Sequence, residues 1–351
     1  MSLAFISAAD VRCLESIELD LHPGQNLIWG PNGSGKTSIL EAIFLLGRGR
    51  SFRTRSTERV IRHDQPQLIV FGRTAAPEKA LGLQAARGAP TVAKVGGAFV
   101  SSLAELSQVF PVQVIDPGVH KLVEESAARR RRWMDWAVFH VEPGFIQTWT
   151  RYHRALQQRN AALRDEPSQA AAWDPELIGL GEALTESRRR SLDQLQPHWR
   201  ETIGSLLGRD VELTYSQGWA RDSSLAGALR VSAPRDAARG ATHVGPHRAD
   251  VQLRLDGLPA RDVASRGQQK LIAVAMILAQ LKMLRDGFAT TPALLLDDPA
   301  AELDSAHLSA FIDQVVRLRC QLVVTSLGPD AAIFPAPDRV FHVEQGRVRP
   351  V

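Results

Sequence analysis

Residues 30–46 are GPNGSGKTSILEAIFLL, a glycine-rich turn that leads directly into an apolar helical pattern. The first eight residues fit G-x-x-x-x-G-K-[ST] in full. Glycines in such a turn let successive backbone N–H groups point at phosphate oxygens, and the helix that follows contributes the positive end of its dipole. Asn26–Trp29 is a short apolar strand before the turn, and Ile39–Leu46 carries helical spacing after it. The motif therefore stands in the strand–turn–helix context that a phosphate loop requires.

The chemistry of this loop predicts a nucleoside triphosphate and Mg²⁺ as ligands. Lys36 places a point charge at the β- and γ-phosphates, and Thr37 offers its hydroxyl to the metal ion. The predicted nucleotide-binding residues of the loop are Gly30, Pro31, Asn32, Gly33, Ser34, Gly35, Lys36 and Thr37.

An acidic pair follows a second apolar run. Ala293–Leu296 is predicted as a buried strand, and Asp297 and Asp298 come directly after it. A phosphate-loop enzyme needs such a carboxylate to hold its metal ion, so we expect Asp297 to share the metal with Thr37. Asp298 either polarises the attacking water as a general base or begins a turn. The predicted catalytic residues are thus Lys36, Asp297 and Asp298.

A second anion-binding feature precedes the acidic strand. Ser265 and Gln268 have the spacing of a capping box at the start of an apolar helix, and Ser265 with Gly267 at a helix N-terminus forms an anion site. One γ-phosphate does not need two such sites from one chain. The spacing therefore predicts that this site contacts a nucleotide held by another subunit of a homodimer.

Arginines are concentrated just after the phosphate-loop helix, where residues 48–62 contain a single acid, Glu58. Neutralising backbone phosphates is the main source of sequence-independent DNA affinity, although a run of charge is often only a solvated loop. Both interpretations are open from composition alone. The arginines of this segment are Arg48, Arg50, Arg53, Arg55, Arg59 and Arg62.

Composition limits the class of protein. The chain has 351 residues, 44% of them hydrophobic and 23% charged, as in a globular protein with one large domain and an insertion. The net charge is +4, and the basic residues are biased towards arginine. This bias suits phosphate contacts, but a GC-rich genome would also produce it. Cys13 and Cys320 are too few for a disulfide framework or a zinc site. No signal peptide or membrane span is predicted, so we expect a cytoplasmic protein.

The character of the sequence changes twice along the chain. Helical patterns dominate residues 119–240, which contain six of the seven tryptophans, whereas strand and helix patterns alternate on either side. We therefore predict an α/β head interrupted by a helix-rich lobe with its own core. Residues 1–118 form the first part of the head with the phosphate loop, 119–240 the inserted lobe, and 241–351 the second part of the head with the capping box and the acidic strand.

Several segments occur together in this chain: GPNGSGKTSILEAI, GRGRSFR, FHVEPGF, QQRNAALR, HVGPHRADV, SRGQQKL and LLLDDPAAELD. As a set they resemble the RecF family, bacterial recombination-mediator ATPases related to SMC and Rad50 heads. The resemblance extends from about Gly24 to Asp304. It implies an α/β fold of the ABC-type phosphate-loop ATPase head with an inserted helical lobe.

The resemblance also implies roles for single residues. In that family the loop from Gly30 to Thr37 binds ATP and Mg²⁺, Asp297 is the metal-binding carboxylate, and Asp298 stands where many ABC enzymes carry a catalytic glutamate. Gln113 is expected to sense metal and water at the nucleotide. The residues expected to contact the nucleotide of the opposite subunit are Ser265, Arg266, Gly267, Gln268 and Asp304.

The chain departs from the broader pattern at some positions. No histidine follows Leu322–Val324, where many ABC ATPases place a switch histidine, so Thr325 or Ser326 would have to sense the γ-phosphate. Together with the short side chain of Asp298, this change implies slow hydrolysis. Near the N-terminus the family's Phe-Arg-Asn is replaced by Val11-Arg12-Cys13.

The function implied by the resemblance is DNA repair. ATP would close a homodimer on double-stranded DNA, gaps and junctions, and a weak DNA-dependent ATPase activity would release it. The family works with RecO and RecR to assist RecA loading, in recombinational repair and replication-fork maintenance, which favours DNA binding by the six arginines. Two other functions are open: the ATPase subunit of an ABC transporter, which shares the nucleotide motifs, and an ATP-gated DNA clamp that does not hydrolyse.

Overall fold

The structure is a computed structural model that describes residues 2–288, 291–301, 305–329, 334 and 336–351. Its contacts divide the chain into two compact units. The head unit comprises residues 1–119 and 284–351, and the inserted unit comprises residues 120–283. The mixed α/β fold confirms the predicted fold class.

The head unit contains, within the described residues, two six-stranded sheets. The antiparallel sheet is formed by β1 (Leu3–Val11), β2 (Leu14–Asp20), β4 (Gln67–Thr74), β5 (Ala80–Ala86), β6 (Val92–Val95) and β7 (Ala98–Phe99), in the order β2-β1-β4-β5-β6-β7. The mixed sheet is formed by β3 (Gln25–Trp29), β8 (Val112–Ile115), β12 (Ala293–Leu296), β13 (Leu322–Ser326), β14 (Arg339–Glu344) and β15 (Arg347–Pro350), in the order β15-β14-β3-β13-β12-β8.

Helix α1 (Lys36–Arg48) packs against both sheets and confirms the helix predicted after the phosphate loop. Its apolar residues Ile39 and Ile43 are fully buried in one core with residues of the antiparallel and mixed sheets. The helix ends at Gly49, whose left-handed backbone (φ 63°) lets its N–H close the last turn on the carbonyl of Leu45. The head unit also contains α2 (Ala104–Val109) and α10 (Ser305–Leu318).

The central strands of the mixed sheet are parallel, so their carboxyl ends lie along one edge. In the register of β13 with its neighbours, Ser326 lies opposite Trp29 and Val324 lies opposite Leu296. Ligands of open α/β sheets bind beyond the carboxyl ends of the strands. The register therefore brings the phosphate loop, which follows Trp29, and the acidic pair, which follows Leu296, to the same edge.

The inserted unit combines helices with a small antiparallel sheet. Trp199 anchors its core, being 1% exposed and donating its indole N–H to the carbonyl of Val211 at 2.8 Å. The inserted unit thus has buried apolar residues of its own. Its elements are α3 (Lys121–Glu124), α4 (Ala127–Val141), α5 (Phe145–Asp165), α6 (Asp174–Leu207), β9 (Val211–Ser216), α7 (Leu225–Arg239), β10 (Asp250–Leu255), β11 (Leu258–Pro259), α8 (Ala260–Val263) and most of α9 (Arg266–Phe288), which ends in the head unit.

The inserted unit is longer than the predicted lobe. Its start at residue 120 adjoins the predicted boundary, but residues 241–283, expected in the head, group with the insertion. The reason is strand pairing: β10 pairs with β9 along its whole length, from Asp250 opposite Ser216 to Leu255 opposite Val211. A bidentate ion pair between Arg130 and Asp250, with N–O distances of 2.8 and 3.0 Å, fastens the same strand to α4.

Gly47 lies in α1 where a side chain has no space. An added Cβ would meet Cγ1 of Val112 at 2.4 Å and the carbonyl oxygen of Phe110 at 2.5 Å. We expect Gly47→Ala to lower the free energy of unfolding by about 1–3 kcal/mol, since the helix must move away from β8. The urea midpoint of unfolding measures this loss.

The matched control is Gly204→Ala in α6, where nothing lies within 4 Å of an added Cβ. There the better helix propensity of alanine should raise stability by up to about 1 kcal/mol. Equal urea midpoints for Gly47→Ala and the unsubstituted chain would contradict the close packing of α1 on β8.

Candidate nucleotide-binding site

The phosphate loop depends on glycines at positions where other residues would be strained. Gly33 and Gly35 have φ angles of 77° and 115°, in the left-handed region that glycine adopts at no steric cost. Gly35 is also the N-cap residue of α1. The N–H of Gly30 donates to the carbonyl of Ser326 at 3.3 Å, so the start of the loop is held against the end of β13.

The turn between β14 and β15 supports the loop from another side. The N–H of Gly346 donates to the carbonyl of Ser34 at 2.8 Å. An added Cβ on Gly30 would lie 2.1 Å from the carbonyl oxygen of Val343, so the backbone of β14 approaches the loop as closely as glycine permits. The loop is thus shaped by its neighbours as well as by its own sequence.

The polar groups of the loop fit a phosphate ligand. Lys36 is 8% exposed, and its ammonium donates to the carbonyls of Gly30 at 2.6 Å and Pro31 at 2.9 Å. The hydroxyl of Ser34 is buried and has no hydrogen-bond partner within the described ranges. A buried ammonium and an unsatisfied hydroxyl beside the N-terminus of α1 suit the oxygens of a triphosphate.

Thr37 and Asp297 lie together, although they are far apart in the sequence. The hydroxyl of Thr37 donates to the carboxylate of Asp297, with its oxygen 3.0 and 3.1 Å from the two carboxylate oxygens. The hydroxyl of Thr325 donates to Oδ1 of Asp297 at 2.9 Å and accepts the N–H of Asp298 at 2.9 Å. The site offers a hydroxyl and a carboxylate side by side, which are ligands that suit Mg²⁺.

Asp298 has a left-handed backbone, with φ 48°. Aspartate is one of the few residues besides glycine that tolerate this region. Burial lowers the pKa of Lys36 from its ordinary value, while the negative charges of Asp298 and Asp297 oppose that shift. Both carboxylates therefore act electrostatically on the phosphate-loop lysine.

The two residues predicted to replace a switch histidine are already engaged. Thr325 is fully buried and bonded to the acidic pair, and the hydroxyl of Ser326 donates to the carbonyl of Gly328 at 2.7 Å. The contacts of Thr325 make it a support for Asp297 and Asp298, a role that sequence reasoning missed. A polar residue at the end of an apolar strand beside the acidic strand is the signal that could have indicated it.

The position of Gln113 is set by the pairing of β8 with β12. Gln113 lies in β8 opposite Leu294, whereas Ile115 lies opposite Leu296. Since a strand advances about 3.3 Å per residue, Gln113 lies roughly 10 Å before Asp297 along the strand direction. The N–H of Asp297 donates instead to the carbonyl of Ile115 at 3.0 Å. The role of Gln113 as a sensor of metal and water stays a prediction.

The capping box at the start of α9 is confirmed. The N–H of Gln268 donates to the hydroxyl of Ser265 at 3.3 Å, and the N–H of Ser265 donates to Oε1 of Gln268 at 2.9 Å. Arg266 donates through Nη2 to Nε2 of His120 at 2.9 Å, so it is bound within its own unit. Ser265 and Gly267 are exposed, and Asp304 lies outside the described residues.

The six arginines of the segment 48–62 differ in their surroundings. The guanidinium of Arg48 lies over the ring of Phe44, 5.6 Å from its centroid, and burial lowers its pKa well below the ordinary value. Arg62 lies 3.6 Å from Asp10 and 3.5 Å from Glu15. The exposed members of the segment are Arg50, Arg53, Arg55 and Arg59.

Arginine tracts of the inserted unit are mostly neutralised internally. Arg188 is fully buried and forms a bidentate ion pair with Asp135 at 2.7 and 2.9 Å. Arg190 binds Glu142 through two hydrogen bonds of 2.9 and 2.8 Å. Together with the Arg130–Asp250 pair, these contacts use much of the positive charge of the arginine tracts in ion pairs within the inserted unit.

His247, from the segment HVGPHRADV, is a partly buried structural residue. Its Nε2 donates to the carbonyl of Thr242 at 3.0 Å, and its Nδ1 accepts from the hydroxyl of Tyr152 at 2.7 Å. Burial lowers the pKa of His247 to about 4. The ring is therefore neutral near pH 7 and ties the segment to α5.

In the part of the chain that the structure describes, no helix has both the length and the apolar character needed to cross a bilayer.

Comparison with known proteins agrees with this arrangement. The sequence model of the RecF/RecN/SMC N-terminal domain matches residues 2–347. The DNA replication and repair protein RecF of Shewanella sp. (strain MR-4) is 40% identical over 356 aligned positions, which cover 99% of each chain. RecF of Shewanella pealeana is 38% identical over the same share of both chains.

Solved structures show the same likeness. The recombination mediator protein RecF of the RecFOR pathway with ATP has a TM-score of 0.89 at 25% identity, covering 100% of this chain and 97% of that one. An Smc head bound to the C-terminal winged-helix domain of ScpA has a TM-score of 0.61 at 15% identity, and shares the fold alone. Since the family model and the curated relatives both span nearly the whole sequence, the chain belongs to the RecF family.

Proposed function

We propose that this chain is an ATP-dependent DNA-binding protein of recombinational repair and replication-fork maintenance. The observation that carries the proposal is the contact between Thr37 of the phosphate loop and Asp297 at 3.0 Å, beside the buried ammonium of Lys36. The proposal is supported by relatives named as DNA replication and repair proteins and by the solved relative that carries ATP.

ATP would bind with its phosphates in the loop Gly30–Thr37, where Lys36 turns its ammonium from loop carbonyls to phosphate oxygens. Thr37 and Asp297 would hold Mg²⁺, which supplies positive charge against the developing negative charge of phosphoryl transfer. Asp298 would accept a proton from the attacking water. Thr325 would hold the carboxylate of Asp297 and the backbone of Asp298 in place through its hydroxyl.

The exposed start of α9 would complete the nucleotide site of a second copy. Ser265 presents a hydroxyl and Gly267 a bare backbone at a helix N-terminus, and both suit a γ-phosphate. Because Arg266 is bound to His120, the serine and glycine would make the main contacts. Asp304 is proposed for the same interface on the resemblance alone.

DNA would bind to the exposed arginines of the segment after α1, namely Arg50, Arg53, Arg55 and Arg59. Their guanidinium groups would neutralise backbone phosphates without reading sequence. On the strength of the solved relative of the RecFOR pathway, we propose RecO and RecR as partners and RecA as the protein whose loading is assisted. The membership in the RecF family gives the transporter alternative no support.

Ser265→Arg should abolish ATP-dependent dimerisation and leave nucleotide binding by the monomer intact, since a bulky cation would fill the space of the partner's γ-phosphate. Sedimentation with and without ATP measures the dimer, and a fluorescent ATP analogue measures binding. Ser224→Arg is the matched control, because Ser224 caps α7 through the N–H of Gly227. A dimer that persists in Ser265→Arg would refute the shared site.

Asp298→Asn should lower ATP turnover by about 10²–10⁴-fold, the contribution of a general base, and should prolong the ATP-bound dimer. Asparagine keeps the left-handed backbone, so the fold should be unaffected. Asp256→Asn, at another left-handed aspartate with φ 53°, is the control. Unimpaired turnover would remove Asp298 from the base role, and negligible turnover of the unsubstituted chain would favour the clamp that does not hydrolyse.

Arg53→Glu combined with Arg55→Glu should weaken binding to duplex DNA and reduce the slope of log K against log salt by about 2, since each phosphate contact contributes about 0.9. Filter binding between low and physiological salt measures the slope. The control reverses Arg230 and Arg235, which are exposed on α7. A salt slope that changes only in the control would place DNA on the inserted unit.

A further inference from the structure

Glu41 is a fully buried carboxylate on α1 that takes no part in the proposed nucleotide site. It lies one helical turn after Thr37 and is 0% exposed. A buried carboxylate is costly unless it is paired and hydrogen-bonded. Its partners therefore indicate why an acid occupies this position in the core.

The first partner is Arg12, in the turn between β1 and β2. Its Nε and Nη2 donate to the two oxygens of Glu41 at 2.8 and 2.9 Å, a bidentate pair. Nη1 of the same guanidinium donates to the carbonyl of Arg59 at 2.6 Å, and the N–H of Arg12 donates to the carbonyl of Val60 at 2.8 Å. Through Arg12, Glu41 holds the end of the arginine segment.

The second partner is Ser51, at the start of that segment. Its hydroxyl donates to Oε1 of Glu41 and accepts the N–H groups of Arg53 at 2.9 Å and Thr54 at 3.0 Å. One carboxylate thus fastens both ends of the stretch from Ser51 to Arg59. Within this stretch the regular structure is a single 3₁₀ turn that begins at Thr57.

We propose that Glu41 is a positioning residue that sets the conformation of the arginine segment and joins it to the phosphate-loop helix. The exposed guanidinium groups of Arg50, Arg53, Arg55 and Arg59 are then presented to DNA as a fixed array. The inference rests on the proposed DNA-binding function.

The contacts of Glu41 with the arginine segment have two physical consequences for DNA binding. A segment that is ordered before binding pays less conformational entropy when it meets DNA, so its affinity is higher. Thr37 and Glu41 also lie on one face of the same helix, so the residue that binds the nucleotide and the residue that holds the arginines move as one rigid element. A change in α1 at the nucleotide is passed to the DNA-facing segment through the contacts of Glu41 with Ser51 and Arg12.

Glu41→Gln tests the proposal, because glutamine keeps the size but loses the charge and one acceptor. We expect affinity for duplex DNA to fall about tenfold, which corresponds to 1.4 kcal/mol. Hydrogen exchange at the amides of Arg53 and Thr54 should quicken, while affinity for a fluorescent ATP analogue stays unchanged. Unchanged exchange at these two amides would overturn the proposal, and so would an equal loss of ATP affinity, which marks a general disturbance of α1.

A double-mutant cycle separates positioning from stability. In a background of Arg53→Glu with Arg55→Glu, Glu41→Gln should add little to the loss of DNA affinity, since the array it positions is already broken. Full additivity would overturn the proposal. If Arg53→Glu with Arg55→Glu itself leaves DNA binding unchanged, the proposed DNA site fails, whereas the amide exchange still decides whether Glu41 orders the segment.

Ser51→Ala provides a variant that keeps the buried Arg12–Glu41 pair and therefore folds. It should quicken exchange at Arg53 and Thr54 and weaken DNA binding in the same direction as Glu41→Gln. Ser232→Ala is the matched control, because Ser232 donates to Asp236 at 2.8 Å within α7. Equal DNA affinities for the two serine variants would overturn the proposal.

Discussion

The carboxylate of Asp297 is the point on which the nucleotide site depends. It accepts hydrogen bonds from Thr37, on the phosphate-loop helix, and from Thr325, on β13. These two hydroxyls come from elements that meet only because β3, β13 and β12 are parallel and in register. Any shift of one strand by a residue would turn its side chains to the other face of the sheet. The register of three short strands is therefore the structural basis of the proposed chemistry.

Buried charged residues join separate elements in both units. Arg130, Arg188 and Glu41 are all buried, and each is held by a bidentate ion pair. Such pairs contribute little net stability compared with apolar packing, but leaving one partner alone is strongly destabilising. Their value is geometric: Arg130 ties α4 to β10, and Glu41 ties α1 to the arginine segment. Part of the arginine charge that resembles a nucleic-acid-binding patch in the sequence therefore forms ion pairs inside the fold.

Local features of the sequence predicted the elements around the candidate site, whereas the pairing of distant segments did not follow from them. Three of these elements depend only on residues that are close in the sequence. They are the strand–turn–helix around Gly30, the apolar strand before Asp297 and the capping box at Ser265. The later boundary of the insertion could not be read in that way, because it depends on the pairing of β9 with β10 across an intervening helix. The bond from Arg12 to Glu41 likewise joins residues that are not close in the sequence. Alternation in residues 211–216 and 250–255 was a signal for strands, but not for their pairing with each other.

The contact of Gly346 with Ser34 has a consequence for synthesis. The loop at residues 30–37 leaves the ribosome early, whereas the turn between β14 and β15 that supports it lies about 300 residues later in the chain. A growing chain therefore carries the complete phosphate-binding sequence long before it has the strand that shapes it. The phosphate loop gains its contacts with Val343 and Gly346 only when the β14–β15 hairpin has joined the sheet, so a chain broken off before this hairpin would lack them.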